Sequence, residues 1–293
     1  MNFHFILNPV SGKHTTDIDA LCASIKTHFP KAVIQLTRAA GHATELAREA
    51  ARQQADAAIA IGGDGTINET ARGLVGTQTA LGVIPRGSGN GFARELGMPL
   101  DFNKALTALA NAHIKPCDAG TANNELFLNV CGVGIEAEIA WQFMQHGQTG
   151  ARGKWPYFKI GAKTVLAYKP PTFALEIDGT RTQAAPLTLV FANGRQYGSN
   201  FKIAPKADFS DGLLDMVAVH NLPKWKLALA LPGFFTDSWR PFGITRSTQV
   251  KHVTISREGS FPYHIDGEPR QAQNILDISI QPHVLQVLFA EGK

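Results

Sequence analysis

The chain has 293 residues, 44% of them apolar and 18% charged, which allows one large or two ordinary domains and excludes a disordered or low-complexity polymer. Its 28 Lys and Arg against 24 Asp and Glu leave a net charge of +4, a mild basicity that suits acidic ligands or an anionic membrane surface, and no clustered basic run argues for nucleic acid. Cys22, Cys117 and Cys131 are too scattered for a disulfide framework or a zinc site, and no apolar stretch reaches bilayer-spanning or signal-peptide length, so a cytoplasmic protein that meets lipid only peripherally is expected.

Phe3 to Leu7 is predicted as the first strand, ended by Asn8-Pro9-Val10-Ser11-Gly12. Lys13 follows, but the Walker phosphate loop is excluded: the upstream glycine is missing and His14 stands where Ser or Thr is required. Ile18, Leu21, Cys22, Ile25 and Phe29 mark a helix, Ala32 to Leu36 a second strand, and Thr37 to Gly41 leads into a helix carrying Ala43, Leu46, Ala47, Ala50 and Ala51.

The next stretch organises the chain. Ala57 to Ile61 is a short apolar run bounded by glycine, the pattern of a parallel strand buried on both faces. After Gly62-Gly63-Asp64-Gly65-Thr66, the residues Ile67, Ala71 and Leu74 fall at i, i+4 and i+7, one stripe of a helix. The glycines therefore form a strand-to-helix turn, where open α/β sheets bind ligands and bare N–H groups favour phosphate. Asp64 is out of place beside an anion unless a divalent cation lies between them, or unless it accepts from a hydroxyl or caps the helix.

Ala80 to Ile84 is a fourth strand, leading into Pro85-Arg86-Gly87-Ser88-Gly89-Asn90-Gly91, a further small-residue loop. Such loops on successive parallel strands converge on one edge of a sheet and imply a sizeable polyanion, with Arg86, Lys13 and Arg94 as candidate counter-charges. A helix over Phe102 to Ala110 follows. From Cys117 onward short strands dominate: Leu126–Cys131, Thr172–Ile177, Leu187–Ala192, Leu213–Val219, Val250–Ser256 and Ile275–Ile280, with Asp178-Gly179 as a hairpin turn. Two helical interruptions, Ile135 to His146 and Arg152 to Tyr168, mix aromatics with lysines, a pattern that fits lipid headgroups and a second core equally. The expectation is an α/β nucleotide-binding domain with a Rossmann-like parallel sheet over residues 1–118, to which a strand near 283–293 returns, and a mainly antiparallel β-sandwich over 119–282.

Nearly the whole chain resembles the diacylglycerol kinase catalytic-domain family of lipid kinases, which includes sphingosine and ceramide kinases and is more distantly similar to NAD kinases. The resemblance is carried by Asn8 to Gly12, Thr37 with Gly41-His42-Ala43, Gly62 to Glu69 and Pro85 to Asn90, then by Asn193-Gly194, Pro205, Asp211 to Asp215 and Asp266-Gly267-Glu268. It implies ATP as phosphoryl donor, gripped by Asn8, Pro9, Val10, Ser11, Gly12, Thr37, Gly63, Asp64, Gly65, Thr66, Ile67, Asn68, Glu69 and Ser88, with Mg²⁺ and a catalytic contribution from Asp64. It implies transfer to a lipid alcohol, diacylglycerol or a relative, in a cleft between domains, with Asp266 or Glu268 as base. It also implies a second metal held by Asp208, Asp211 and the Leu213 carbonyl.

Asp266-Gly267 is equally a favoured β-turn pair. One departure is Gly91, where many relatives carry an aspartate that helps hold Mg²⁺, leaving Asp64 and Asp118 as the carboxylates to consider. The alternatives are a kinase of a soluble substrate resembling the NAD kinases and a nucleotide-binding regulator without turnover. Partners are ATP, the lipid alcohol and a membrane surface, with a homodimer left open.

Overall fold

The computed structural model describes residues 2–12, 17–147, 164–165, 167–198, 201–221, 223, 226, 243 and 245–291. The chain forms two compact units, the first comprising residues 1–119, 209–211 and 282–293, the second residues 120–208 and 212–281.

Unit 1 runs β1 (Phe3–Leu7), α1 (Ile18–His28), β2 (Val33–Leu36), α2 (His42–Arg52), β3 (Ala57–Gly62), α3 (Asp64–Leu74), β4 (Ala80–Pro85), α4 (Gly91–Glu95), α5 (Phe102–Ala110) and the start of β5 (His113–Ala122). The strands are parallel in the order β2-β1-β3-β4. β1, β3 and β4 are buried throughout, which is why they read as unbroken apolar runs. β2 is the edge and leaves Val33 and Leu36 exposed. The stripe of Ile67, Ala71 and Leu74 is fully buried, as its spacing predicts. From β1 the chain winds outward to β2, then returns past β1 to lay down β3 and β4. The direction of winding therefore reverses between β1 and β3, and open α/β sheets bind ligands at the carboxyl ends of the strands flanking such a reversal.

Unit 2 continues with β6 (Glu125–Phe127), β7 (Val130–Gly134), α6 (Ile135–Gly147), β8 (Phe173–Ile177), β9 (Thr180–Ala184), β10 (Thr188–Ala192), β11 (Gln196–Gly198), β12 (Phe201–Lys202), β13 (Leu214–Val219), β14 (Thr245–Val250), β15 (His252–Ser256), β16 (Phe261–Ile265), β17 (Glu268–Ala272) and β18 (Ile275–Phe289). One sheet is antiparallel in the order β14-β13-β10-β7-β16-β17. Against it pack β15 and β8, joined by the first part of β18 and by β9. Phe173, Val253, Ile255 and Leu276 from this side meet Cys131, Val133, Phe191, Phe261 and Ile265 from the other, the alternating inward faces of a β-sandwich. Asp178 and Gly179, at φ +44° and +83°, make the expected β8–β9 turn.

The last part of β18 counts with unit 1, where Val287 pairs parallel with Leu81 of β4. The stretch read as one strand over Leu126–Cys131 is two, β6 and β7, and Val250–Ser256 divides likewise between β14 and β15. The helix predicted over Arg152 to Tyr168 lies almost wholly outside the described residues; α6 matches the one predicted over Ile135 to His146.

Candidate active site

In unit 1 the loops after β1, β3 and β4 meet at the reversal. Asn8, directly after β1, donates its main-chain N–H to the Ile61 carbonyl of β3 at 3.0 Å, and its side-chain amide donates to Thr66 Oγ1 at 2.9 Å. The same amide accepts from Val10 N–H at 3.1 Å, so one asparagine folds its own loop and ties it to the head of α3. Thr37, after β2, donates its N–H to the Leu7 carbonyl at 2.9 Å. From the loop after β4, Arg86 donates N–H to Gly62 O at 2.7 Å, and its guanidinium donates to Ser11 O at 3.1 Å. Burial lowers that guanidinium's pKa from its ordinary value.

Asp64 is the first residue of α3; the capping position belongs to Gly63, which makes no side-chain cap bond. The reading of Asp64 as a plain helix cap is therefore corrected: its Oδ2 accepts the N–H of Asn90 at 2.9 Å, joining the loops after β3 and β4. Asn90 takes φ +51° and closes its own loop, donating from Nδ2 to Gly87 O and accepting from Gly87 N–H, both at 2.8 Å. Asparagine is one of the few non-glycine residues that visit this backbone region readily, and that tolerance was the available sequence signal for its role. The two loops touch main chain to main chain: a Cβ on Gly87 would stand 2.7 Å from Gly63 Cα. The result is a glycine-rich rim at the amino end of α3, with the Asp64 carboxylate and the Arg86 guanidinium on it. Such a rim suits a polyphosphate with its cation.

The predicted ATP-gripping residues divide by exposure. Pro9, Val10, Gly12 and Ser88 are exposed, whereas Asn8, Ser11, Thr37, Gly63, Asp64, Gly65 and Glu69 are half-buried. Thr66 and Asn68 are buried, and Ile67 is fully so; its side chain belongs to the core stripe. Lys13 lies outside the described residues.

In unit 2, Asp266 and Gly267, at φ +49° and +88°, form the two-residue turn between β16 and β17, with Ile265 paired to Glu268. The Asp266 carboxylate does more than permit a turn. It accepts three main-chain N–H groups, those of Asn129 at 2.8 Å, Val130 at 3.0 Å and Leu128 at 2.9 Å. Asn193 converges on the same segment, donating from Nδ2 to Leu128 O at 2.8 Å and from its main chain to Asn129 O at 2.8 Å. Glu268 differs: its side chain is 55% exposed and pairs with Arg270 at 3.1 Å. Arg270 also holds Glu125 at 3.0 Å. Burial acts to lower the Arg270 pKa, but its two carboxylate partners outweigh that and raise it.

Asp208 and Asp211 are exposed on the turn before β13. Asp211 counts with unit 1, Asp208 and Leu213 with unit 2. Their oxygen-only chemistry suits a hard cation. Among the described residues, no group of three or more His, Cys, Asp or Glu side chains stands where it could hold a metal. Asp118 is fully buried and accepts the His283 N–H at 2.7 Å, while the His283 ring contacts Ser210 O at 3.2 Å. Asp118 is thus a tie within unit 1. Gly91 is the first residue of α4 and is buried.

Residues 2–122 match the family described as diacylglycerol kinase catalytic domain, and residues 129–289 match the YegS C-terminal NAD kinase beta sandwich-like domain. The chain is 33% identical to a diacylglycerol kinase of Bacillus subtilis (strain 168), over 90% of this chain and 88% of that protein. It is 30% identical to a diacylglycerol kinase of Mycobacterium tuberculosis (strain ATCC 25618 / H37Rv), over 97% and 93% respectively. Its fold matches the crystal structure of a diacylglycerol kinase from Bacillus anthracis str. Sterne with a TM-score of 0.73 at 20% identity, covering 99% of this chain and 97% of that one.

Proposed function

Given that the chain belongs to the diacylglycerol kinase catalytic-domain family and is a lipid kinase, we propose that it transfers the γ-phosphate of ATP to the hydroxyl of a neutral lipid alcohol, with diacylglycerol the first to test. The observation that carries the ATP assignment is the rim at the β1/β3 reversal, where Asn8 is bonded to Thr66 and Asp64 to Asn90. In this reading the main-chain N–H groups at the amino end of α3 take the phosphate oxygens, and Arg86 offsets their charge. Asp64 would hold the Mg²⁺ that accompanies ATP; when bound, that ion neutralises charge on the transferred phosphoryl group. Asp208, Asp211 and the Leu213 carbonyl would hold a second, structural cation.

The acceptor hydroxyl loses its proton to Asp266 or Glu268 in this reading. The two carboxylates differ in what occupies them. Asp266 is held by three main-chain N–H groups, which fixes its orientation, and Glu268 is exposed beside Arg270. Phosphoryl transfer rests on positioning and charge neutralisation, so the fixed Asp266 meets one requirement of a base and the accessible Glu268 the other. Attachment to a membrane is proposed as peripheral: no helix among the described residues is long and apolar enough to cross one. The half-buried Trp141, Phe143 and Met144 of α6 are the aromatic and apolar groups available on that helix.

Gly91 favours one second reading, a nucleotide-binding regulator without turnover, since this position brings no carboxylate to the cation. A single assay addresses both. Purified protein is given labelled ATP, Mg²⁺ and a panel of detergent-dispersed lipid alcohols, with NAD as a soluble control. Labelled phospholipid with unlabelled NAD supports the kinase reading. ATP binding without transfer to any lipid overturns it in favour of the regulator, and labelled NADP overturns it in favour of a soluble-substrate kinase.

A further inference from the structure

The exposed acid of the Asp266-Gly267-Glu268 turn is tethered. β17 lies at the edge of its sheet, and its register on β16 pairs Ala272 with Phe261, Arg270 with Tyr263 and Glu268 with Ile265. Side chains two apart on a strand share a face, and Phe261, Tyr263, Ile265 and Ala272 all belong to the sandwich core. Arg270 and Glu268 therefore stand on the core side of β17, where the apolar series gives way to charge toward the turn.

Every nitrogen of the Arg270 guanidinium is engaged. Nε donates to Glu125 Oε2 at 3.0 Å, Nη1 to the Pro269 carbonyl at 3.1 Å, and Nη2 to Glu268 Oε2 at 3.1 Å. Glu125 comes from β6, so the place of the arginine is set from outside its own strand. A planar fork fixed at two corners presents the third in one direction. Burial, Glu125 and Cys131 push the Tyr263 phenol up to about 12, with Arg270 opposing them, so the tyrosine stays neutral and adds no further charge to the cluster.

A glutamate whose side chain is 55% exposed has several rotatable bonds and needs an anchor before it can be held against a reacting group. Inward charges on an edge strand also discourage pairing with other chains, which accounts for a charge at this place but not for its bond to Glu125. We infer that Arg270, held by Glu125, is the positioning residue of Glu268. It fixes Oε2 and leaves Oε1, which has no bond among the described residues, to the acceptor hydroxyl. This rests on the reading of Glu268 as base and adds the pair that orients it; Arg270 itself touches no reacting atom. Exposed ion pairs contribute little to stability, so the signature lies in turnover rather than in melting.

The test is steady-state kinetics on the full chain with ATP and micelle-dispersed 1,2-dioctanoylglycerol, using Arg270→Gln, Arg270→Lys, Glu125→Ala and Glu268→Gln. Removing the fork or its anchor should each lower kcat about fivefold or more, with the KM for both substrates within about twofold. Arg270→Lys keeps the charge but not the fork, so the same loss of kcat is expected of it, and it serves if Arg270→Gln does not fold. Wild-type kcat in Arg270→Lys or in Glu125→Ala overturns the inference, as does a raised KM at constant kcat, which marks a direct contact with substrate. Glu268→Gln is the control. If it is inactive while the Arg270 variants turn over normally, the inference alone fails. If it keeps wild-type turnover, the base is Asp266, and the reading of Glu268 falls together with the inference. Absence of transfer by the wild type removes the kinase reading and this inference with it.

Discussion

Asp64 and Asn90 are 26 residues apart in sequence, and the carboxylate of the first accepts the main-chain N–H of the second at 2.9 Å. This bond closes the rim proposed to hold ATP, and it makes the charge of Asp64 separable from its structural role. In Asp64→Asn the amide oxygen can still accept from Asn90 while the negative charge is gone. Phosphoryl transfer is expected to fall by about 10²-fold or more, the scale of losing one preorganised charge contact, with the melting temperature within a few degrees of wild type. ADP release measured alongside calorimetry checks both halves; wild-type turnover would remove Asp64 from the catalytic set.

Gly87 offers a purely steric probe of the same rim. A Cβ at this position would be 2.7 Å from Gly63 Cα, main chain against main chain, so Gly87→Ala must push the two loops apart. A destabilisation of about 1–3 kcal/mol, typical of overpacking, is expected together with a raised KM for ATP. Denaturant unfolding and steady-state kinetics measure the two effects, and an unchanged KM for ATP would mean that the contact lies away from the nucleotide.

The Asp266-Gly267-Glu268 turn should separate into a structural and an exposed acid. Asp266→Asn replaces one carboxylate oxygen with an amide that faces a main-chain N–H, so it should cost about 1.5–3 kcal/mol as well as turnover. Glu268→Gln, with a half-exposed side chain, should change stability by no more than about 0.5 kcal/mol. Its turnover then identifies the base: retained activity assigns the role to Asp266, and complete loss assigns it to Glu268.

Gly91→Asp would supply the carboxylate that the loop after Asn90 lacks, at the first position of α4, where an acid also favours the helix dipole. The Mg²⁺ concentration for half-maximal activity is expected to drop several-fold. An unchanged Mg²⁺ profile would show that this position is not part of the metal site.

Buried His4 of β1 makes unit 1 sensitive to acid. Burial lowers its pKa from the ordinary value, with Glu49 acting in the opposite direction. The fold thus prefers the neutral ring, so the contribution is fully present above the ordinary histidine range and is lost as pH falls through the lowered value. Between about pH 7.5 and about pH 5 the melting temperature of wild type should decline, and that of His4→Phe should decline less. Parallel slopes in the two proteins would dismiss His4 as a contributor.

Most of unit 1 was legible because its information is local. Phe3–Leu7 and Phe102–Ala110 coincide with their predicted limits, and the Ile67, Ala71, Leu74 stripe faces the core as its spacing demands. β5 was missed because His113-Ile114-Lys115-Pro116 has neither an apolar run nor alternation, its first residues being largely exposed. β16 and β17 were read only as the setting of Asp266-Gly267-Glu268, because Pro262, His264, Pro269 and Arg270 interrupt the usual strand signal. Ile275–Ile280 continues as a single strand to Phe289 across Gln281-Pro282-His283, a polar stretch that reads as a break.

What the sequence determined alone was the alternation of strand and helix, the glycine turns at strand ends and the order of the family's motifs, all of which depend on neighbours a few residues apart. Tertiary structure decided the rest. The strand order that puts Asn8 against Thr66, the pairing of Asp64 with Asn90, the seating of Asp266 on Leu128 to Val130 and the meeting of Glu125 with Arg270 join residues from 26 to 145 positions apart. No periodicity records such contacts. They arise because burying two sheets and their helices leaves only certain polar side chains within reach of one another, and that selection is made by packing.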